Sequence, residues 1–557
     1  MQDMEQNPKH PTGIKLYLPI VLALVLVAGF LLGVKLATTN QTSVTRFLRP
    51  EQDSQNLLNH IINHISHSYV DSVDRQQLVE ETIHHLLRSL DPHSTFIPAA
   101  DFQAMNDPLM GSFEGIGIEF NMINDTVVVI NPIAGGPSQQ AGIMPGDRIV
   151  KVGEEPISGV NMPTNDVVRR LRGEKGTQIT VQVRRTGVPN LLPFTIVRNV
   201  IPQYSLDIAY MVDENIGYFR LNKFSTTTHR EFVSALQRLS SEGMQKMILD
   251  LRGNGGGILA ASIALADELL GPEKLLVYTD GFNRPRQEVF SRAGGGFETG
   301  PLVILIDEWS ASASEIVAGA VQDHDRGIIV GRRSFGKGLV QEQVNLADGS
   351  ALRLTVARYY TPTGRSIQRP YQNGEEQYFL DLMERMRGEG DASETAPNQA
   401  DTTRFLTAGG RVVFGGGGIA PDIVIPLRSG EQFVFFNQTA NKGLINRFAF
   451  NYSDQNRAAL LQFGNATNFI NNFSITQAIF NSFLQFARAE GLSIPGRVHP
   501  ESESQIRQNL KALIGRNIFG VDAFFPVLHR DDDSFRRAVE ILRRGEHAQI
   551  LREGVQR

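Results

Sequence analysis

The chain has 557 residues, with 54 Lys and Arg against 59 Asp and Glu and a formal net charge of −5. That length accommodates several domains, and a mildly acidic balance without a basic block excludes nucleic acid as an implied partner. There is no cysteine, which excludes disulfides, thiolate catalysis and thiolate metal sites.

Residues 16–34 (LYLPIVLALVLVAGFLLGV) are apolar and uncharged, with Lys15 and Lys35 at the ends. The run is long enough for a transmembrane helix. It exceeds the usual signal-peptide core and no Ala-x-Ala site follows. The expectation is therefore an uncleaved anchor. Charge asymmetry is weak, with Lys9 and Lys15 before the run and Lys35, Arg46 and Arg49 after it. A polar linker follows over about 37–50. Next comes a helix with Leu57, Leu58, Ile61, Ile62 and Ile65 on one face. His60, His64 and His67 share its other face. No carboxylate or cysteine completes a metal set, so they read as a solvated face, and no metal or other cofactor is expected. A second helix covers about 76–90 and ends in Leu90-Asp91-Pro92-His93-Ser94.

Residues 111–199 form the next unit. Gly115-Ile116-Gly117-Ile118 is a Gly-apolar turn entering a strand. Strands follow at Val127–Ile130, Arg148–Val152 and Gln178–Arg184, with a helix near Asn165–Leu171. Glycine turns alone are weak evidence, but the ordered series resembles a PDZ domain. Such a domain holds a peptide's C-terminal carboxylate on backbone N–H groups of the glycine loop, here Gly115 to Ile118, and adds the peptide as a strand.

Residues 200–430 alternate strands and helices, which argues α/β crossovers. Strands are expected at Ile216–Leu221, Lys246–Leu251, Pro301–Ile306, Gly327–Gly331 and Leu352–Tyr359. Helices are expected at Thr226–Leu239 and Ile258–Leu270, and after Ser312. The loop Arg252-Gly253-Asn254-Gly255-Gly256-Gly257 follows a strand as a dinucleotide turn would. That fingerprint needs glycine at 258, where Ile258 stands. Residues 388–403 are polar and read as a mobile loop. Residues 431–557 have a helical pattern, with Phe535, Val539 and Leu542 on one face. Core support, dimerisation and partner docking are all open for this segment.

Two residues carry chemistry. Ser312 and Glu315 fit a capping box before the apolar run Ile316, Val317, Ala320 and Val321. A serine there lies beside free helix N–H groups able to hold an oxyanion. Its hydroxyl needs a base, and a desolvated lysine is one. Lys337 lies in Ser334-Phe335-Gly336-Lys337-Gly338-Leu339-Val340-Gln341. His324, twelve helical residues from Ser312, would sit about 18 Å away. Asp323 fails on the same count, and no Gly-x-Ser-x-Gly elbow occurs.

These stretches resemble the Ser/Lys carboxy-terminal processing peptidases, or tail-specific proteases. Their signature runs Ser-Ala-Ser-Ala-Ser-Glu-Ile, then Gln-Asp (here Gln322-Asp323), a strand, and Thr-Phe-Gly-Lys-Gly-x-Val-Gln. Ser334 stands where threonine is usual and keeps the hydroxyl. The resemblance covers about residues 53–427, the Leu90–Ser94 stretch included. It implies that Ser312 is the nucleophile, Lys337 the base and Gln341 the support of the lysine. It also implies an oxyanion hole from the N–H of Ala313 and that of Gly256 or Gly257.

The fold class expected is a crotonase-like α/β protease core with a PDZ-like β-rich domain, an N-terminal transmembrane helix and a mostly helical C-terminal region. The expected division is a cytoplasmic tail and anchor (1–36), a linker and helices (37–110), the PDZ unit (111–199), the protease core (200–430) and the helical region (431–557). By the resemblance, the protein is an inner-membrane endopeptidase facing the periplasm. Its partners would be proteins or peptides with free C-terminal tails, with a homo-oligomer or adaptor open. The rivals are a PDZ scaffold on an inert protease fold, which retention of Ser312, Lys337 and Gln341 opposes, and a crotonase-type acyl-CoA enzyme.

Overall fold

The computed structural model describes residues 14–39, 50–387 and 403–553. All but the last residue of the expected polar loop at 388–403, and most of the 37–50 linker, lie outside the described residues. The chain divides into two compact units, Met1–Leu86 and Leu87–Arg557.

The first unit holds helices Ile14–Thr39 and Pro50–Ser68 and most of Arg75–Arg88. The anchor expected at 16–34 is corrected here. Among the described residues no helix is long and apolar enough to cross a membrane. The transmembrane part of the fold class and the inner-membrane, periplasm-facing placement fall together. Of the predicted apolar face of the next helix, Ile62 is buried while Leu57, Leu58 and Ile61 are exposed. His60, His64 and His67 are exposed, and among the described residues no group of three or more potential ligands could hold a metal.

In the second unit, strands Ile118–Met122, Val127–Pro132, Arg148–Val152, Gln178–Arg184 and Leu192–Val197 form one antiparallel sheet in that order, with Ile118–Met122 at an edge. Alternating residues such as Val127, Val129, Ile149, Val181 and Val183 point into its core with Val167 and Leu171 of helix Thr164–Leu171, as period-2 patterning dictates. Ser112–Gly115 pairs with Asn199–Pro202 and ties the two ends of this unit together.

The main six-stranded sheet runs in the order Leu206–Met211, Ile216–Leu221, Lys246–Asp250, Leu302–Ile306, Ile328–Gly331, Ile423–Val424. The last five are parallel. Their sequences are near-continuous Ile, Leu and Val because both faces are buried. Helices Thr228–Ser241, Leu259–Leu269 and Ala313–Asp323 cover one face, with Leu249, Ile304 and Ile329 beneath them. The other face, including Tyr218, Ile248, Val303, Leu305 and Val330, is covered by Phe535, Ala538, Val539, Ile541 and Leu542 of helix Asp533–Arg544. The C-terminal segment thus supplies a layer of the core. Each such side chain contributes roughly 1.5–3 kcal/mol on burial. A second sheet joins Thr95–Ile97, Ala351–Tyr360, Leu275–Gly281 and Arg284–Phe290, with Leu339–Asn345 also paired to Ala351–Tyr360.

Six further helices, from Val434–Asn441 to Pro500–Phe519, enclose their own aromatic core of Phe435, Phe448, Phe469, Phe473, Phe480 and Phe483. They pack on the back of the PDZ-like sheet. Phe450 meets Val128 and Ile130, and Asp454 pairs with Arg148 at 3.0 Å. Arg516 pairs with Glu119.

Candidate active site

Strand Leu302–Ile306 delivers the chain to Ser312, which opens the fully buried helix Ala313–Asp323. Ser312 has φ 55° and ψ −111°, a strained geometry for a residue with a Cβ. The predicted capping box forms, with Ser312 N–H donating to Glu315 Oε2 at 2.8 Å. Helix geometry leaves the Ala313 N–H orphaned, and among the described residues it has no acceptor.

The glycine loop lies against this turn. Asn254 O accepts from Ala311 N–H (3.0 Å) and from Ser314 Oγ (2.9 Å). A Cβ on Gly256 would lie 2.7 Å from Ala311 O and 2.8 Å from Ser312 Cβ, so no larger residue fits. Gly256 N–H is already engaged by Asn254 Oδ1 at 2.9 Å. Gly257 N–H has no acceptor among the described residues. The two glycines, equivalent in sequence, therefore differ in what their N–H groups are free to do.

Lys337 arrives from the opposite side. Its Nζ donates to Gln341 Oε1 at 2.9 Å, and Gln341 Nε2 donates to His93 O at 2.6 Å. Gln341 sits on strand Leu339–Asn345. Asp91 fixes the His93 turn by accepting from the N–H of His93 and of Ser94, both at 2.8 Å. Burial pushes the Lys337 amine below its ordinary value, and the Arg353 charge adds to this, while Asp91 and Glu315 pull the other way. The same burial, aided by the Lys337 charge, holds the His93 imidazole down to about 3, so it is neutral near pH 7.

Glu315 joins the two halves. Its Oε2 accepts from both Ser312 N–H (2.8 Å) and Lys337 N–H (2.9 Å). Its Oε1 accepts from Ser334 Oγ (2.5 Å) and Gly336 N–H (2.8 Å). Burial pushes this carboxyl up to about 7 against the pull of these four donors. The Tyr359 hydroxyl lies 2.7 Å from Lys337 O and 3.1 Å from Ser312 O. The sequence marked Glu315 only as a capping residue and gave Tyr359 and His93 no role. The Leu90–Ser94 stretch was the available signal for His93. Ser334, in the threonine position, uses its hydroxyl fully, accepting also from Ile419 N–H at 2.6 Å.

Ser312, Ala313, Lys337, Gln341, Gly256 and Gly257 line one cavity of about 630 Å³, together with apolar Leu109, Ile258, Ile316 and Val340. His324 and Asp323 stand apart. His324 Nε2 bonds Leu275 O at 2.7 Å, and Asp323 holds the fully buried Arg365 at 2.7 Å.

The glycine loop of the PDZ-like unit is a separate site. Ile116 O accepts from Ser138 N–H and Oγ, and Gly117 O accepts from Ile133 N–H. Gly117 has φ 74°, a left-handed conformation suited to glycine. Gly115 closes one short strand, and Ile118 opens the edge strand Ile118–Met122.

Comparison with known proteins gives three matched segments: peptidase family S41 over residues 215–373, a PDZ domain over 115–193, and a family of unknown function over 435–520. The carboxy-terminal-processing protease of Bartonella bacilliformis is 38% identical over 349 residues, covering 61% of this chain and 79% of that one. The carboxy-terminal processing protease CtpA of Bacillus subtilis is 33% identical over 313 residues, covering 56% and 66%. Among solved structures, a photosystem II D1 C-terminal processing protease is similar, at 32% identity over 55% of this chain and 83% of that one, with a TM-score of 0.32.

Proposed function

Since the chain belongs to peptidase family S41 as a serine-type carboxy-terminal processing protease, we propose that it cleaves tailed peptides through a Ser312–Lys337 dyad. The observation that carries this reading is the single Glu315 oxygen shared by the backbone N–H groups of Ser312 and Lys337. It ties nucleophile and base to one point at the wall of one cavity.

Lys337 in its neutral form takes the proton from Ser312 Oγ, and the oxygen attacks the scissile carbonyl carbon. The oxyanion is held by the N–H groups of Ala313 and Gly257, which lack other acceptors and so cost nothing to reorient. Gly256 acts by fitting against Ser312 rather than by donating. The Lys337 ammonium then gives its proton to the leaving amine. A water deprotonated by the same amine hydrolyses the acyl-enzyme, releasing Ser312 and the new C-terminus. Gln341, fixed by His93 O, holds the Lys337 amine in place. The PDZ unit captures the substrate's C-terminal carboxylate at Gly115, Ile116, Gly117 and Ile118 and pairs the tail with the free edge of Ile118–Met122.

The test is fluorophosphonate labelling together with cleavage of a tailed peptide and its C-terminally amidated twin. Wild type is expected to label at Ser312 and to cut the free-acid peptide faster than the amide. Folded S312A and K337A are each expected to lose cleavage. A folded K337A with near wild-type activity at neutral pH would sink the dyad. Equal rates on the two peptides would refute carboxylate capture.

A further inference from the structure

The loop that carries Gly256 and Gly257 contains glycine at 253, 255, 256 and 257. Such a run has little conformational preference of its own, so its shape comes from tethers. The distal tether is Asn254, already described. Nearer the strand, Leu251 O accepts from Ser310 Oγ at 2.9 Å, and Gly253 N–H donates to Asp307 Oδ1 at 2.9 Å. The proximal tether is Arg252. Its backbone N–H donates to Asp250 Oδ1 at 2.9 Å, and its carbonyl accepts from Arg220 Nη2 at 3.2 Å.

Asp250 is fully buried and is shared by two guanidinium groups, Arg252 at 2.6 Å and Arg220 at 3.1 Å, with Tyr218 OH at 2.7 Å. One carboxylate cannot neutralise two part-buried arginines, and an uncompensated charge is costly where burial limits its solvation. Each arginine has an outer carboxylate. Arg220 has Asp207 at 3.4 Å. Arg252 has Asp532, in a two-pronged pair at 3.0 and 2.7 Å, the strong geometry for this pairing. Asp532 also caps helix Asp533–Arg544 through Phe535 N–H at 3.0 Å. It belongs to residues 521–553, which lie outside the three matched segments.

Its neighbours do a different job. Asp531 and Asp533 both grip Arg428, through four bonds of 2.6–3.0 Å. Docking of the C-terminal helices thus has its own clamp, and Asp532 alone of the three acidic residues reaches the loop.

We infer that Asp532 is a positioning residue for the proteolytic reaction, holding Arg252 and through it the loop that aims the Gly257 N–H at the oxyanion. This rests on the proposed oxyanion role of Gly257. Without Asp532, the Arg252 head is drawn toward water and its backbone loosens from Asp250 and Arg220. The loop then keeps its tethers at Leu251, Gly253 and Asn254 but loses the one at Arg252. Substrate capture by the PDZ unit, which does not involve this loop, is untouched.

The experiment compares full-length wild type, D532N, R252K, the double variant and the docking control D533N on a fluorogenic tailed peptide, with activities normalised to folded protein. D532N is expected to lower kcat about tenfold with KM within about twofold, and to slow fluorophosphonate labelling of Ser312 by a similar factor. R252K is expected to do the same, and the double variant to lose no more than R252K alone. D533N is expected to lower stability while leaving kcat within about twofold. The inference is overturned if D532N and D533N lower kcat equally, if D532N and R252K losses multiply, or if a folded D532N keeps wild-type kcat. Should D532N fail to fold, an unchanged kcat in R252K overturns it equally. S312A separates the two levels. If S312A is inactive and D532N is not impaired, only this inference fails; if S312A cleaves, the dyad itself fails.

Discussion

The backbone at Ser312 makes a prediction about stability with an unusual sign. At φ 55° and ψ −111° the residue occupies a conformation that glycine adopts freely and serine does not, at a cost of about 1–3 kcal/mol. At an ordinary helix N-cap, serine to glycine costs a few tenths of a kcal/mol, because the cap hydroxyl is lost. Here relief of strain exceeds that loss, so S312G is expected to be about 1–2 kcal/mol more stable than wild type while losing all cleavage. S312A keeps the strained Cβ and loses the cap, so it is expected to be about 0.5–2 kcal/mol less stable than wild type. The chain offers a local probe, because its one tryptophan is Trp309, three residues before the serine and half-exposed. Urea unfolding followed by Trp309 fluorescence, at equal slope for the three proteins, reads the order directly. The reasoning is refuted if S312G is no more stable than wild type, because the turn would then hold no strain.

Two further outcomes follow from buried groups. E315Q keeps the shape of Glu315 but leaves one oxygen where four donors need two, so two buried donors lose their acceptor at about 1–3 kcal/mol each. A loss of about 2–6 kcal/mol in urea unfolding at pH 8 and at least a tenfold fall in kcat/KM are expected; a variant with native stability and activity would show that Glu315 is an incidental cap. His529 is buried, bonded to Tyr210 OH at 2.6 Å and stacked on Phe535 at 4.0 Å. Burial lowers its pKa to about 4, with Asp532 and Asp250 opposing this and Arg252 and Arg220 adding to it. The unfolded state therefore binds the proton first as pH falls, and stability is lost between about pH 6.5 and 4, by about 3 kcal/mol in total. The difference in unfolding free energy between wild type and H529Q, measured at pH 7 and pH 4.5, should shift by most of that amount; a constant difference would contradict it.

Ser312, Lys337 and Gln341 stand out as the proposed constellation because their signature lies in two short stretches, and the parallel sheet was legible because Ile, Leu and Val runs alternate with helical periods. What the sequence did not disclose is long-range. Glu315 read as a cap, since its bonds to Ser334, Gly336 and Lys337 cross a helix and a strand that periodicity cannot fold together. The His93 carbonyl meets Gln341 from 248 residues away. Gly256 and Gly257 were indistinguishable until the acceptor of the Gly256 N–H was known. Phe535, Val539 and Leu542 announced an amphipathic helix but not that it would roof the sheet. Hydropathy over 16–34 suggested an anchor that the described helix does not sustain.

These misses share a cause, and it bears on how the site works. The proposed reacting groups are local in sequence, whereas the groups that set their geometry and pKa arrive from elsewhere. Lys337 is lowered first by burial, and part of that enclosure comes from the His93 turn that also holds Gln341. The strain at Ser312 persists only because Glu315, Asn254 and Tyr359 over-determine the turn. The glycine loop is tied at one end to the Ser312 segment and at the other, through Arg252, to a carboxylate from the C-terminal helices. A chain retaining only the two signature stretches would keep the chemistry's nouns and lose its aim. Substitutions at Glu315 or Asp532 should therefore lower kcat without touching either member of the dyad, and that separation of reactivity from placement is what the variants above measure.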